Sequence, residues 1–288
     1  MQFSISTTDE VLLPQSGLAL VGALLQDTKL RQRIDTLEVA GCLRPAVKHG
    51  DVLVAAIGLL CLGKSDFSDI EALREDEFFR LSLGLRQIPA EPTLRQRLDA
   101  MRDACGPILR EESALLLRKH ARKLTPCHGQ WVALDVDVSP FDNSGTKKEG
   151  VSWTYKEVIA LYHAHGTSEQ YHSEIKTDLD LERLPSGKFA TNATMLSLGL
   201  VAYNLLRLCG QGALKEQRRL PAEERAPLQK KVFRRRLRSV IQDLMYLAAQ
   251  LVRHAHRWQV VFWRNSPWGA TWRGLYARFA GAPGVRSG

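Results

Sequence analysis

Apolar residues recur at helical spacing through the first third of the chain, as in Leu18, Leu20, Val21, Leu24 and Leu25, and again in Leu53, Ile57, Leu60 and Cys61. A repeat near 3.6 residues places one apolar stripe on a helix, so the region from Gly17 to about Lys123 is expected to be helical. Breaks at Gly41, Gly50, Gly63 and Pro89 divide it into helices of common length. Between Pro89 and Leu98, Thr93 is placed to cap a helix carrying Arg95 and Arg97, like the entry to a helix-turn-helix. An ordinary helical hairpin with a solvated basic face fits the same residues.

Near residue 130 the period changes. Trp131 to Ser139 alternates β-branched with polar residues and stops at Pro140, which reads as a strand, and Val151 to Tyr155 reads as a second. A helix is expected from about Glu157 to Leu181, with a break at Pro185-Ser186-Gly187 and a long apolar helix from Thr194 to Cys209. After Pro221 and Pro227, Val232 to Trp258 is expected to form an amphipathic helix bearing Arg234, Arg235, Arg236 and Arg238. The tail after Gly281 is expected to fray. The fold class is therefore mainly α with a small β part: a helical region over 1–128, an α/β segment over 129–192 and a basic helical region over 193–288.

Composition adds a partner class to this outline. The chain has 288 residues, with Lys+Arg 40 against Asp+Glu 31, giving +9 at pH 7. Basic side chains release counterions from a phosphate backbone, so the balance points to a polyanion, although many basic proteins are merely soluble. Cys42, Cys61, Cys105, Cys127 and Cys209 are scattered without metal-ligand spacing and read as reduced thiols. The longest apolar run, Val52 to Leu62, is too short for a bilayer core of about 30 Å, and no export signal opens the chain. A cytoplasmic location and no membrane partner are expected.

Side chains alternate across a strand, so Asp135 and Asp137 share one face of the first strand. Two neighbouring carboxylates repel unless a cation lies near, and Mg²⁺ is the usual ion for hard oxygen ligands. A solvated acidic strand face is the plain alternative. On the following helix, Tyr162, His165, Glu169 and Lys176 fall within about a 60° arc at 100° per residue. A carboxylate flanked by a phenol and a lysine can hold a metal while its neighbours touch phosphate, and a solvated helix face explains the same stripe. His163, His165 and His172 lack an acid or Cys to complete a transition-metal set, and the adjacent Cys127 and His128 form no chelating pair.

The spacing Tyr162-(2)-His165-(3)-Glu169-(6)-Lys176 resembles the Y-(2)-R-(3)-E-(6)-K signature of a large supergroup of insertion-sequence DDE transposases, with His165 in place of Arg. Together with LDVDVSPFDNSGTKKEG (Leu134 to Gly150) and EIKTDLDLERLPSGKFATN (Glu174 to Asn192), it is similar to one family within that supergroup, over a stretch reaching from the N-terminal helices to about Trp268. The resemblance implies an RNase H-like core over 129–192 in which carboxylates hold Mg²⁺ for DNA strand cleavage and transfer. It makes Asp137 the first acid, with Asp135 as its fallback, and Glu169 the last. It implies that Tyr162, His165 and Lys176 contact DNA, with Arg95, Arg97, Arg234, Arg235, Arg236 and Arg238 as further contacts. The partners it implies are double-stranded DNA with terminal inverted repeats and a second copy in a homodimer, in a bacterial cytoplasm at the nucleoid.

One departure matters. The family's fold places further strands and a middle acid between the two motifs, yet the interval from Asp137 to Glu169 is about the length of one βαβ unit. Asp142, Glu149 and Glu157 lie in that interval, and the resemblance gives none of them the missing role. A two-metal site short of one acid should hold its ions poorly, so little or no strand transfer is expected. The alternative function is a non-catalytic, DNA-binding relative that competes for element ends.

Overall fold

A computed structural model describes residues 11–39, 42, 45–120, 170–228, 232–254 and 256–281. The strands expected at Trp131–Ser139 and Val151–Tyr155 lie outside these residues, as does the tail after Gly281. Of the described residues 62% are helical and 7% lie in strands, so the chain is mainly α with a small β part, as expected, but its three-stranded sheet is built from residues not expected to be strands.

The N-terminal part comprises β1 (Val11–Leu13), α1 (Leu18–Leu25), α2 (Leu30–Asp35), α3 (His49–Cys61), a 3₁₀ segment (Phe67–Leu73), α4 (Glu77–Ser82) and α5 (Glu91–His120). α3 is buried on every side, as a helix apolar all round must be. Gly22 lets α1 lie against the end of α4, because a Cβ there would stand 1.8 Å from the Ser82 carbonyl oxygen. Arg31 ties three elements together: it donates to the buried Asp51 on α3 and to the Leu83 and Gly84 carbonyls, each at 2.6 Å.

The helix breaks were partly legible. Gly63 ends the α3 region at φ +71°, a conformation glycine adopts without a Cβ clash, and Pro89 lies in the link between α4 and α5. Gly50, in contrast, is inside α3. Thr93 does not cap α5. The first helical bond runs from the Leu94 N–H to the Ala90 carbonyl at 2.9 Å, which puts Thr93 within the first turn.

The C-terminal part comprises α6 (Phe189–Arg219), α7 (Leu237–Val240), β2 (Ala249–His254), β3 (Arg257–Val261) and α8 (Gly269–Phe279). α6 is twice the expected length. It runs parallel to α5, with Thr191 bonded to Asp99 at 2.7 Å and Asn204 to Ser113 at 2.8 Å. By length and composition α6 could cross a bilayer, but most of its apolar window is buried, and it packs on α3, α5 and α8.

The helix expected over Val232–Trp258 is corrected by the structure. Only Leu237–Val240 is α-helical; a π-turn (Ile241–Met245) follows, and then β2 and β3 form an antiparallel hairpin with a two-residue reversal. β1 supplies the reason: Val11 pairs with Leu251 and Leu13 with Ala249, so Leu13, Ala249 and Leu251 bury one face of a sheet that a helix would have to forgo. This pairing joins the two helical regions, and one continuous core runs from Leu13 and Leu18 to Leu275 and Phe279.

Candidate nucleic-acid interface

The described chain resumes at Gln170 in helical conformation and widens into a π-turn over Glu174–Asp178. The wider turn aims Glu174 and Asp178 into the protein, where both are buried. Their partners come from a segment about 60 residues away. Arg234 pairs with Glu174 at 2.5 Å and lies 4.8 Å from the Tyr171 ring centroid, and Tyr203 on α6 donates to the same carboxylate at 3.4 Å. Arg236 grips Asp178 through Nε at 2.9 Å and Nη2 at 3.0 Å, a fork that matches a carboxylate's two oxygens. The Leu237 and Arg238 N–H groups donate to Glu174 and Asp178 at 3.3 and 3.1 Å, so the carboxylates also cap the entry to α7.

The electrostatics follow from these partners. Burial works against the Arg234 charge, but Tyr203 and the Glu174 carboxylate outweigh it and hold its pKa above the ordinary arginine value. The Asp178 hydrogen bonds raise that of Arg236. Arg235 is buried, stacks 4.1 Å from the Trp268 ring centroid and pairs with Asp243; burial still pulls its pKa down. Arg207 is lowered by burial and by the neighbouring Arg234 charge.

These positions sort the residues named from the sequence. Asp135, Asp137, Tyr162, His165 and Glu169 lie outside the described residues. Lys176 is exposed on the π-turn, whose wider winding breaks the 100° phase on which a shared stripe with Tyr162, His165 and Glu169 depends. Arg238 is exposed beside the Asp178 carboxylate. Arg234, Arg235 and Arg236 precede α7, not ride on it, and each is engaged by a carboxylate. On α5, Arg95 pairs with Glu91 at 2.6 Å and lies 5.3 Å from the Phe67 ring centroid. Arg97 is half-buried, its pKa lowered by burial, with no carboxylate partner among the described residues. Among those residues no group of three or more His, Cys, Asp or Glu is placed to hold a metal.

Known proteins add nothing to this geometry. The chain matches no family model, no curated protein and no solved structure.

A second basic surface was missed in the sequence. From Leu244 to Gly281 there is no Asp or Glu, while Arg253, Arg257, Arg264 and Arg273 are all exposed and have no carboxylate partner among the described residues. Trp258 and Trp263 are exposed beside them, at 44% and 74%. The acid-free composition of this stretch was the available signal, and reading it as part of a helix hid which side chains share a face.

Proposed function

We propose that the chain is a DNA-binding protein of the insertion-sequence transposase type that holds element ends with strand cleavage and transfer impaired. What supports this reading is one observation: exposed Lys176 sits on the π-turn and exposed Arg238 on the segment that Arg236 ties to that turn through the buried Asp178 carboxylate, within a few residues of Glu169 in the sequence. Exposed cations on two segments locked together by ion pairs suit a phosphate backbone, since the base that carries them is already ordered before DNA arrives. The long motif strings around this turn supply the transposase resemblance.

In this reading Asp137 and Glu169, with Asp135 in reserve, would hold Mg²⁺, which supplies an activated water or 3′-hydroxyl and stabilises the leaving oxygen. With the middle acid missing, the ions are held weakly and end binding outlasts cutting. Gel-shift titration on a duplex bearing the element's terminal inverted repeats tests the reading. Sequence-selective binding should persist in Asp137→Ala and Glu169→Ala, weaken in Lys176→Ala/Arg238→Ala, and fall steeply with salt. A divalent-metal cleavage assay on the same duplex should give little product; robust cleavage would show an intact active site. Absence of any selectivity for the repeats would remove the transposase reading.

A further inference from the structure

We infer that the β2–β3 hairpin is an arm that docks on the phosphate backbone of duplex DNA. The inference extends the DNA-binding reading to a different surface, and rests on it only for the choice of a duplex as ligand. In the strand register, Ala249, Leu251, Arg253 on β2 and Trp258, Val260 on β3 share the face that looks toward the core. Ala249 and Leu251 are buried, and Val260 is half-buried. At the next step outward the same face carries Arg253 paired across the strands with Trp258, both exposed, so the ribbon has run beyond the core it packs on. His254 and Arg257 close the hairpin on the opposite face, and His256 turns the chain at φ +62°.

The tip is therefore a two-stranded ribbon ending in Arg253, His254, His256, Arg257 and Trp258, with no acid among the described residues placed to neutralise it. Other arginines of this protein are held by carboxylates, as Arg33 is by Glu111 and Glu112 and Arg236 by Asp178, whereas the hairpin pair, like Arg264 and Arg273 in the same acid-free stretch, has none among the described residues. Arginines left without carboxylates on a projecting element keep their charge for an outside polyanion, and binding gains from the counterions that polyanion releases. A two-stranded ribbon also has the width to enter a major groove of about 12 Å.

Two other occupants fit less well. A second copy pairing along the free edge of β3 would bring two basic, acid-free ribbons together, a like-charge arrangement that disfavours edge pairing. An anionic membrane would need an apolar wedge at the tip, yet the described tip residues are mostly basic or imidazole side chains, and Arg253 lies 5.4 Å from the Trp258 ring centroid.

The test uses the full chain and a fluorescently labelled duplex of random sequence, with anisotropy read across a salt series. Arg253→Ala/Arg257→Ala should make the log–log salt slope shallower by about 1.8, at roughly 0.9 for each phosphate left without its cation, and Arg253→Lys/Arg257→Lys should keep most of the slope. Matching thermal melts for wild type and both variants show that any loss is not unfolding. An unchanged slope and affinity in the alanine variant overturns the inference. So does wild-type preference for a single strand over the duplex, or hairpin-dependent binding to phosphatidylserine vesicles while duplex binding is unaltered. Failure here leaves selectivity for terminal repeats untouched; failure of that selectivity, with the slope change intact, removes the transposase reading and keeps the arm.

Discussion

Arg234–Arg236 and the hairpin arginines belong to the same C-terminal region and look alike in the sequence, but they have opposite fates. Each of the first set is held by a carboxylate, Glu174, Asp243 or Asp178, although Arg236 itself stays half exposed. The second, Arg253 and Arg257, stands on a projecting ribbon with no carboxylate among the described residues. The difference lies in the supply of acids brought by distant parts of the chain. Clustering of arginines is thus a poor guide to a nucleic-acid contact, and an arginine's lack of an internal partner is a better one. Substitutions in each set put this distinction at risk.

The largest effect is expected where a buried pair loses its cation. Arg234→Ala leaves the Glu174 carboxylate, 2% exposed, with weaker partners, and should cost about 3–5 kcal/mol in urea unfolding. Replacing both partners, Arg234→Met with Glu174→Leu, should restore much of that loss, because no uncompensated charge remains. If the single substitution is silent, the inward arginines are not structural and the contrast with the hairpin collapses. A smaller step, Tyr203→Phe, removes a long 3.4 Å hydrogen bond to the same carboxylate and should cost about 1 kcal/mol.

How far the sequence could have told these regions apart depends on the range of the interactions. The core helices were legible because their signal is local: Leu18, Leu20, Val21 and Leu24 all proved fully buried on α1, and Leu53, Ile57, Leu60 and Cys61 on α3. The hairpin was not. Leu237, Val240, Ile241, Leu244 and Met245 keep helical spacing up to its edge, and its reversal at His256 lacks the Asn-Gly or Asp-Gly pair that marks a tight turn. Its strand character comes from β1, whose Val11 pairs with Leu251 from the other end of the chain. The arginine pairs failed to show for the same reason, since Arg234 and Arg236 find carboxylates about 60 residues away. Of the candidate site residues, Lys176 and Arg238 stand exposed, while the acids Asp137 and Glu169 fall outside the described residues.

An ion cluster of intermediate burial gives a pH test between the two extremes. Burial tends to raise the Asp27 carboxyl, but hydrogen bonds from Lys119 and His120 prevail and hold it below the usual 3.8. A depressed folded pKa means that the stabilisation is fully present above about pH 3.8 and is lost as pH falls through the folded value. Asp27→Asn should flatten the fall in melting temperature below pH 3.8. Its cost at neutral pH should stay under about 1 kcal/mol, since Lys119 is 58% exposed and solvent screens the pair. A cost like that of Arg234→Ala would mean that exposure does not grade these pairs.

The smallest change in stability is expected at the hairpin tip. Arg253 and Arg257 are exposed and have no carboxylate to strand among the described residues, so their replacement by alanine removes only solvated stems and one cation–π contact with Trp258. The unfolding free energy should move by no more than about 0.5 kcal/mol, in the range of surface substitutions remote from buried networks. The value of the measurement lies in its pairing with Arg234→Ala. If both sites cost several kcal/mol, the tip is packed against something within the chain and its charge is not held for a partner. If only the paired site does, the fold requires one set of arginines and not the other, and the charge on the ribbon is free to serve the DNA contact proposed for it.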